Sequence, residues 1–219
     1  MTERTVKKRG RGRPPLAAEN GPSDIKRAAI AEFARHGFKG ASIDQIAARA
    51  GVAKRLVHYH FGSKDALWRQ AVGEEYDAFQ AEALTFADGL ATQPAQDALD
   101  ALADQLVRFA ATRVALLQIS MDETRQGGER AAWLSSTYLV PLQRMMIDHA
   151  SGLLGSRPDA KALAAHLIPS IFGAAVFPFV DAEVTGQAHG LDVFSETYIE
   201  GQATFIKHLL RATLDVYGA

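Results

Sequence analysis

Two pairs of residues have types and spacings that catalysis could use, and each has a simpler interpretation. Ser23 and Lys26 match the spacing of an acyl-enzyme pattern, but Ser23 is also a typical N-cap residue followed by an exposed lysine. Asp122 and Glu123 could act as an acid pair, yet adjacent residues on a helix diverge by about 100°, so a solvated face explains them. We therefore predict no catalytic residue and no enzyme activity.

Histidine is the other residue type that could do chemistry here. The seven histidines show no metal-ligand spacing, and the chain has no cysteine. His58 and His60 are two residues apart, so on a helix they point about 200° from each other and cannot share a metal ion. The sequence predicts no metal site and no cofactor.

Charge is distributed very unevenly along the chain. Residues 1–70 carry 15 Lys and Arg against 6 Asp and Glu, whereas residues 71–219 carry 9 against 19. Such a split indicates that the basic end meets a polyanion while the remainder has another task. The alternative is a chance segregation of solvated faces.

Composition is that of an ordinary globular protein. Of the 219 residues, 47% are hydrophobic and 22% charged. The longest apolar run, residues 167–180, is interrupted by two prolines and is shorter than the ~18 residues of a membrane span. No apolar stretch of the signal-peptide kind follows the basic start. We expect no transmembrane helix and a cytoplasmic protein.

Helical spacing of apolar residues dominates the chain, and no strand alternation is found. We predict an all-α fold of about nine helices: a basic arm over residues 1–22, a three-helix unit over 23–68 and a larger helical body over 69–219. The first helix is predicted to start at a Ser23-Asp24 cap and to stop at Gly37. Pro169 and Pro178 are expected to kink a helix that runs from Asp159 to about Val184.

The three-helix unit has the layout of a helix-turn-helix, with a Gly-Val turn between its second and third helices. Its residues at fixed spacings resemble the N-terminal domain of TetR-type transcriptional regulators. The match covers about 45 residues and consists of Ile25, Ala29, Phe33, Gly37-Phe38, Ser42-Ile43, Ile46-Ala47, Ala50-Gly51-Val52, Lys54, Tyr59-His60-Phe61, Ser63-Lys64-Asp65 and Leu67.

The resemblance implies a DNA-binding role for the polar residues of this unit. Lys54 and Arg55 correspond to positions that face base edges, and an arginine can pair with guanine through two hydrogen bonds. Where the family commonly has a small residue, Thr and Tyr, this chain has Arg55, Leu56 and His58, so its operator should differ. The predicted DNA-binding residues of the unit are Ser42, Lys54, Arg55, His58, Tyr59, His60 and Lys64.

The basic arm carries a second DNA-binding signal. Arg11-Gly12-Arg13-Pro14 resembles the core of an AT-hook, which would lay Arg11 and Arg13 in an A·T-rich minor groove. The alternative is a polybasic tail that only raises non-specific affinity. Both interpretations place the arm on double-stranded DNA.

By resemblance, the body is a domain for effector binding and dimerisation. Aromatic and polar residues are predicted to line an effector pocket: Gln118, Met121, Arg125, Trp133, Tyr138 and Phe172. The last two helices are predicted to form a homodimer through Ile171, Ala174, Ala175, Phe177, Phe205 and Leu209. The whole chain is thus predicted to be a ligand-responsive repressor that binds a near-palindromic operator. The alternatives are a small-molecule enzyme on a helical bundle and an effector-independent architectural DNA-binding protein.

Overall fold

The computed structural model describes residues 21–90, 93–154 and 157–217, and these residues form helices and short connections without any strand. The predicted positions in the arm, Arg11 and Arg13, lie outside the described residues. The α-helices are α1 Pro22–Gly40, α2 Ile43–Ala50, α3 Lys54–Phe61, α4 Lys64–Leu90, α5 Ala95–Thr112, α6 Val114–Gln126, α7 Glu129–Leu134, α8 Val140–Leu153, α9 Ala160–Val180, α10 Ala182–His189 and α11 Glu196–Tyr217.

The start of α1 differs from the expected Ser23-Asp24 cap. Gly21 is the N-cap residue, its backbone N–H donates to the Asp24 carboxylate at 3.1 Å, and Pro22 occupies the first helical position. The predicted stop is confirmed, because Gly37 has φ 65° and breaks the helical geometry inside α1.

The hydrophobic packing crosses the predicted boundary at residue 68. One core cluster joins side chains of the helix-turn-helix, such as Phe33 and Val57, to Leu116, Leu134 and Tyr138 of the body. Trp68 at the start of α4 is fully buried within this cluster. The small N-terminal unit therefore shares its core with the body.

A second core cluster lies between α5, α9 and α11. Helices α5 and α11 are also joined by ion pairs: Arg211 with Asp100, Lys207 with Asp104 at 2.6 Å and Arg108 with Glu196 at 2.6 Å. These pairs hold the last helix against the body.

A π-helical turn, Ser135–Leu139, connects α7 to α8 and has no counterpart in the sequence-based prediction. Its wider turn brings Trp133 and Tyr138, five residues apart, onto one face. Their rings lie 5.5 Å apart, and Trp133 also contacts Trp68 of α4, with 5.6 Å between ring centroids. Gly73 leaves the space for this contact, since a Cβ atom there would be 3.2 Å from the Tyr138 hydroxyl.

Helix α9 ends earlier than expected. Its last residue is Val180 rather than about Val184, the separate α10 follows, and Pro169 and Pro178 both lie inside α9. By length and composition it is also the one helix among the described residues that could cross a membrane, with 21 residues and a hydropathy of 1.8. In the fold it packs against α5, α8 and α11.

Candidate DNA-binding surface

Helix α3 buries one face and exposes the other. Val57 and Phe61 are in the core and hold the helix in place. Arg55, His58 and Tyr59 are exposed and lie at i, i+3 and i+4, so they share the outward face. The structure thus places Arg55, which was predicted to face base edges, beside two other predicted DNA-binding residues.

Helix α2 is fixed by a cap at its start and by a contact with α1. The Ser42 side chain accepts a hydrogen bond from the Gln45 backbone N–H at 3.2 Å, and the Gln45 side chain accepts one from the Ser42 backbone N–H at 2.9 Å. Arg49 donates to the buried carboxylate of Glu32 on α1 at 2.6 Å. Gly51 ends α2 with φ 69°, as the predicted turn requires.

Two of the predicted DNA-binding side chains of α3 already have partners within the chain. Lys54 donates to the Asp44 carboxylate of α2 at 2.9 Å, so DNA has to compete with this exposed ion pair. The His58 ring contacts the Gly62 carbonyl through Nδ1 at 3.2 Å, which requires the proton on Nδ1 and leaves Nε2 for another partner. Tyr59 is 81% exposed and its ring meets the edge of His60.

Lys64, another of the predicted DNA-binding residues, also has partners within the chain. Its ammonium group donates to the carbonyls of Phe38 at 2.8 Å and Ala41 at 2.9 Å, and it lies 4.5 Å from the centroid of the Phe38 ring. Burial, followed by the nearby Arg130 guanidinium, lowers the pKa of Lys64. Lys64 therefore holds the turn between α1 and α2.

The six predicted effector-binding residues do not line one cavity in this structure. Gln118 lines a cleft of about 410 Å³ between α6, α9 and α10. Trp133 and Tyr138 pack in the first core cluster, whereas Phe172 packs against the second. Met121 is exposed, and Arg125 pairs with Asp122 at 3.1 Å on the surface.

Tyr138 belongs to a buried polar network between α4 and α6. Its hydroxyl donates to Asp77 at 3.1 Å, and its ring stacks on Tyr76 with centroids 4.8 Å apart. The Tyr76 hydroxyl donates to Ser120 at 2.6 Å, because the Ser120 proton is given to the Leu116 carbonyl. Burial raises the pKa of both tyrosines, and the Asp77 carboxylate raises that of Tyr138 further.

The predicted dimer residues fall into two groups. Ile171 and Ala175 are buried in the chain's own second cluster, so their assignment to an interface is wrong. Phe177 and Phe205 are 62% and 56% exposed, and Ala174 and Leu209 are half-buried.

Sequence reasoning missed the residues that join the DNA-binding unit to the body. Glu123, predicted to be solvated, is only 2% exposed and accepts from Arg130 of α7 at 3.2 Å. The Arg130 guanidinium lies 3.5 Å from the centroid of the Phe38 ring of α1. A buried glutamate and an arginine seven residues later give no periodic signal that would have identified them.

A short exposed recognition helix braced by a second helix, and seated on an all-α body, defines a helix-turn-helix protein. Residues 25–71 match the family model of bacterial regulatory proteins of the tetR family. Residues 25–71 are therefore a TetR-type DNA-binding domain, as the sequence resemblance predicted.

Individual relatives agree with this assignment over different lengths. The HTH-type transcriptional repressor SCO4008 of Streptomyces coelicolor is 33% identical over 104 residues, which span 48% of this chain and 50% of that protein. The chain thus matches about half the length of this curated relative.

Two solved structures share the fold over most of the chain. A TetR-like regulator from Rhodococcus sp. RHA1 matches with a TM-score of 0.57 and 21% identity, covering 90% of this chain and 96% of that one. FadR from Bacillus subtilis, solved in complex with stearoyl-CoA, matches with a TM-score of 0.59 and 16% identity, covering 84% and 96%. At these identities the likeness concerns the fold alone.

Proposed function

We propose that this protein is a cytoplasmic, dimeric transcriptional repressor that binds a near-palindromic operator and releases it when a small molecule binds the body. The observation that carries the proposal is the outward face of α3, where Arg55, His58 and Tyr59 lie together within the matched TetR-type domain. In a two-fold dimer, two such helices can enter successive major grooves about 34 Å apart.

Within this proposal, Arg55 contacts a base and so determines part of the DNA sequence preference. It is exposed, and its side chain makes no hydrogen bond or ion pair with any other part of the chain that the structure describes. A free guanidinium on this face can donate to O6 and N7 of one guanine, whereas Tyr59, His60 and the Ser42 end of α2 are suited to the sugar-phosphate backbone.

We expect Arg55→Ala to relax the base preference at one symmetric pair of operator positions and to cost about 1 to 3 kcal/mol of binding free energy. Duplexes selected by the wild-type protein from a randomised library provide the operator, and fluorescence anisotropy at fixed salt provides the affinity. Arg35→Ala removes the same charge from an exposed position on α1 and serves as the control. Unchanged preference in Arg55→Ala would contradict the assignment.

The proposed dimer uses the outward faces of α9 and α11. Apart from Lys161 in the first turn, the exposed residues of α9 follow one stripe and are mostly small or apolar: Ala162, Ala165, His166, Pro169, Ser170, Gly173 and Phe177. Gly201, Phe205, His208 and Ala212 form a similar stripe on α11. Stripes of this composition suit close packing of helices in a two-fold interface, with one Phe from each helix as an anchor.

We place the effector in the 410 Å³ cleft at Gln118. Its walls include Val114, Phe179 and Phe194, and its rim carries the carboxylates of Asp181 and Glu183. An apolar molecule with a basic group matches this lining, because the walls bury the hydrocarbon and the carboxylates attract the cation. To release DNA, the ligand must bind one conformation better than the other.

Ligand binding can be tested with two matched substitutions. Gln118→Ala changes this cleft, and Gln105→Ala changes a separate cleft of about 480 Å³ between α4 and α5. In a thermal-shift screen of lipophilic amines, we expect Gln118→Ala to weaken a hit by roughly fivefold, as for one lost hydrogen bond, and Gln105→Ala to have no effect. Loss only in Gln105→Ala would move the site to the second cleft.

A further inference from the structure

Arg130 is a residue of the body whose side chain contacts the DNA-binding unit. It lies in the first turn of α7, two residues after Gly128, and Gly127 and Gly128 have φ values of 72° and 90° at the end of α6. From there its guanidinium contacts the Phe38 ring, approaches the Asp65 carboxylate at 3.7 Å and pairs with Glu123. One side chain thus meets the ends of α1, α4 and α6.

The body fixes Arg130 through Glu123. Both carboxylate oxygens of this glutamate accept from the arginine Nε at 3.2 Å, and the glutamate side chain is 3% exposed. A carboxylate so deeply buried requires a partner, because leaving its charge unpaired away from water is strongly unfavourable. The side chain of Arg130, which belongs to α7, is therefore held against α6.

The DNA-binding unit meets Arg130 through Phe38. The guanidinium centre lies 3.5 Å from the ring centroid, which is a close cation–π contact. Lys64 lies against the same ring and donates to the carbonyls of Phe38 and Ala41. Ala41 directly precedes Ser42, the N-cap residue of α2. The contact of Arg130 with Phe38 therefore fixes the turn between α1 and α2, and with it the position where α2 begins.

We propose that Arg130 is a positioning residue for DNA binding: it fixes the tilt of the helix-turn-helix on the body and thereby the distance between the two recognition helices of the dimer. This inference rests on the proposed function. It assigns to Arg130 a role in half-site spacing and none in base contact, because its partners all belong to the junction between the unit and the body.

The geometry of DNA makes such a residue measurable. Half-sites one helical turn apart place the recognition helices about 34 Å apart, and each added base pair changes this distance by about 3.4 Å and also rotates the half-site. If the helix-turn-helix is held rigidly on the body, the dimer binds only one half-site spacing, whereas a loosely held helix-turn-helix also allows neighbouring spacings. The preference for one spacing therefore measures how rigidly the helix-turn-helix is held, separately from the stability of the protein.

The experiment uses the full-length protein and a duplex selected by the wild type from a randomised library. The same duplex is also made with one or two base pairs inserted or removed at its centre. Four proteins are compared: wild type, Arg130→Ala, Arg130→Lys and the control Arg125→Ala, which removes an exposed arginine of α6. Arg130→Lys keeps the charge beside Glu123 but lacks the planar group that stacks on Phe38.

We expect Arg130→Ala and Arg130→Lys to bind the optimal duplex roughly 10-fold more weakly and to lose most of the discrimination against altered spacings. Arg125→Ala should keep the wild-type profile. Equal weakening at every spacing, or an unchanged profile, would overturn the proposal. If Arg130→Ala does not fold, Phe38→Leu tests the same contact from the other side, and it should flatten the profile as Arg130→Lys does.

Failure of the proposed function has a separate signature. If the wild type enriches no sequence from the library, the regulator itself is refuted and the spacing role falls with it. If the wild type enriches an operator but all arginine variants keep its spacing profile, the regulator stands and only the role of Arg130 is refuted.

Discussion

Replacing Gly173 by arginine is expected to produce a folded monomer that binds the operator 100- to 10,000-fold more weakly than the wild type, the range lost when two linked sites become one. Gly173 lies in the exposed stripe of α9, between Pro169 and Phe177. In a two-fold interface the two copies of this stripe meet, so an arginine there would bury a charge without a partner.

The fold itself should tolerate this substitution. A Cβ atom at Gly173 would meet nothing within 4 Å, and arginine has a higher helix propensity than glycine by up to about 1 kcal/mol. Gly201→Arg makes the same change in the stripe of α11. Gly152→Arg does so on α8, outside both stripes, and is the control.

Sedimentation velocity, circular dichroism and operator binding are the measurements. Gly152→Arg should remain a dimer with wild-type affinity, while the two stripe variants should sediment as helical monomers. A Gly173→Arg protein that still sediments as a dimer would place the interface on another surface.

Trp68→Ala is expected to lower the free energy of unfolding by about 3 to 5 kcal/mol, the usual cost of truncating a fully buried aromatic side chain. The cluster around Trp68 includes side chains from α1, α3, α6 and the π-helical turn. Because these elements share one core, we expect the helix-turn-helix and the first half of the body to unfold together.

Urea titration followed by circular dichroism measures this effect. Trp133→Ala should cost less, because Trp133 is only half-buried. Trp68→Phe should cost less as well, since it keeps most of the buried surface and removes an indole N–H that has no hydrogen-bond partner among the described residues. A Trp68→Ala protein whose body unfolds in its own later transition would show that the two parts are independent.

Local signals in the sequence predicted the helix-turn-helix well. Ser42 caps α2, Gly51 ends it in the left-handed conformation, and Val57 and Phe61 recur at the spacing of a buried helix face. Each of these features depends on residues within one or two helical turns. They could therefore be predicted without knowing how distant parts of the chain pack.

The parts that were missed depend on distant packing. Helix α9 is apolar on all sides, so its periodicity did not show that Ile171 and Ala175 face inward while Gly173 and Phe177 face outward. The pair of Glu123 and Arg130 becomes evident only when α1, α4, α6 and α7 meet. Likewise, nothing in the spacing of Trp133 and Tyr138 indicated a π-helical turn.

The two tryptophans have a practical consequence. The chain contains Trp68 and Trp133 and no other tryptophan, and their rings touch where the helix-turn-helix meets the body. All the indole emission of this protein therefore originates at one joint between its parts. Unlabelled protein carries a built-in optical reporter at that joint, so a shift in emission during a titration would report whether the joint has moved, without an attached dye.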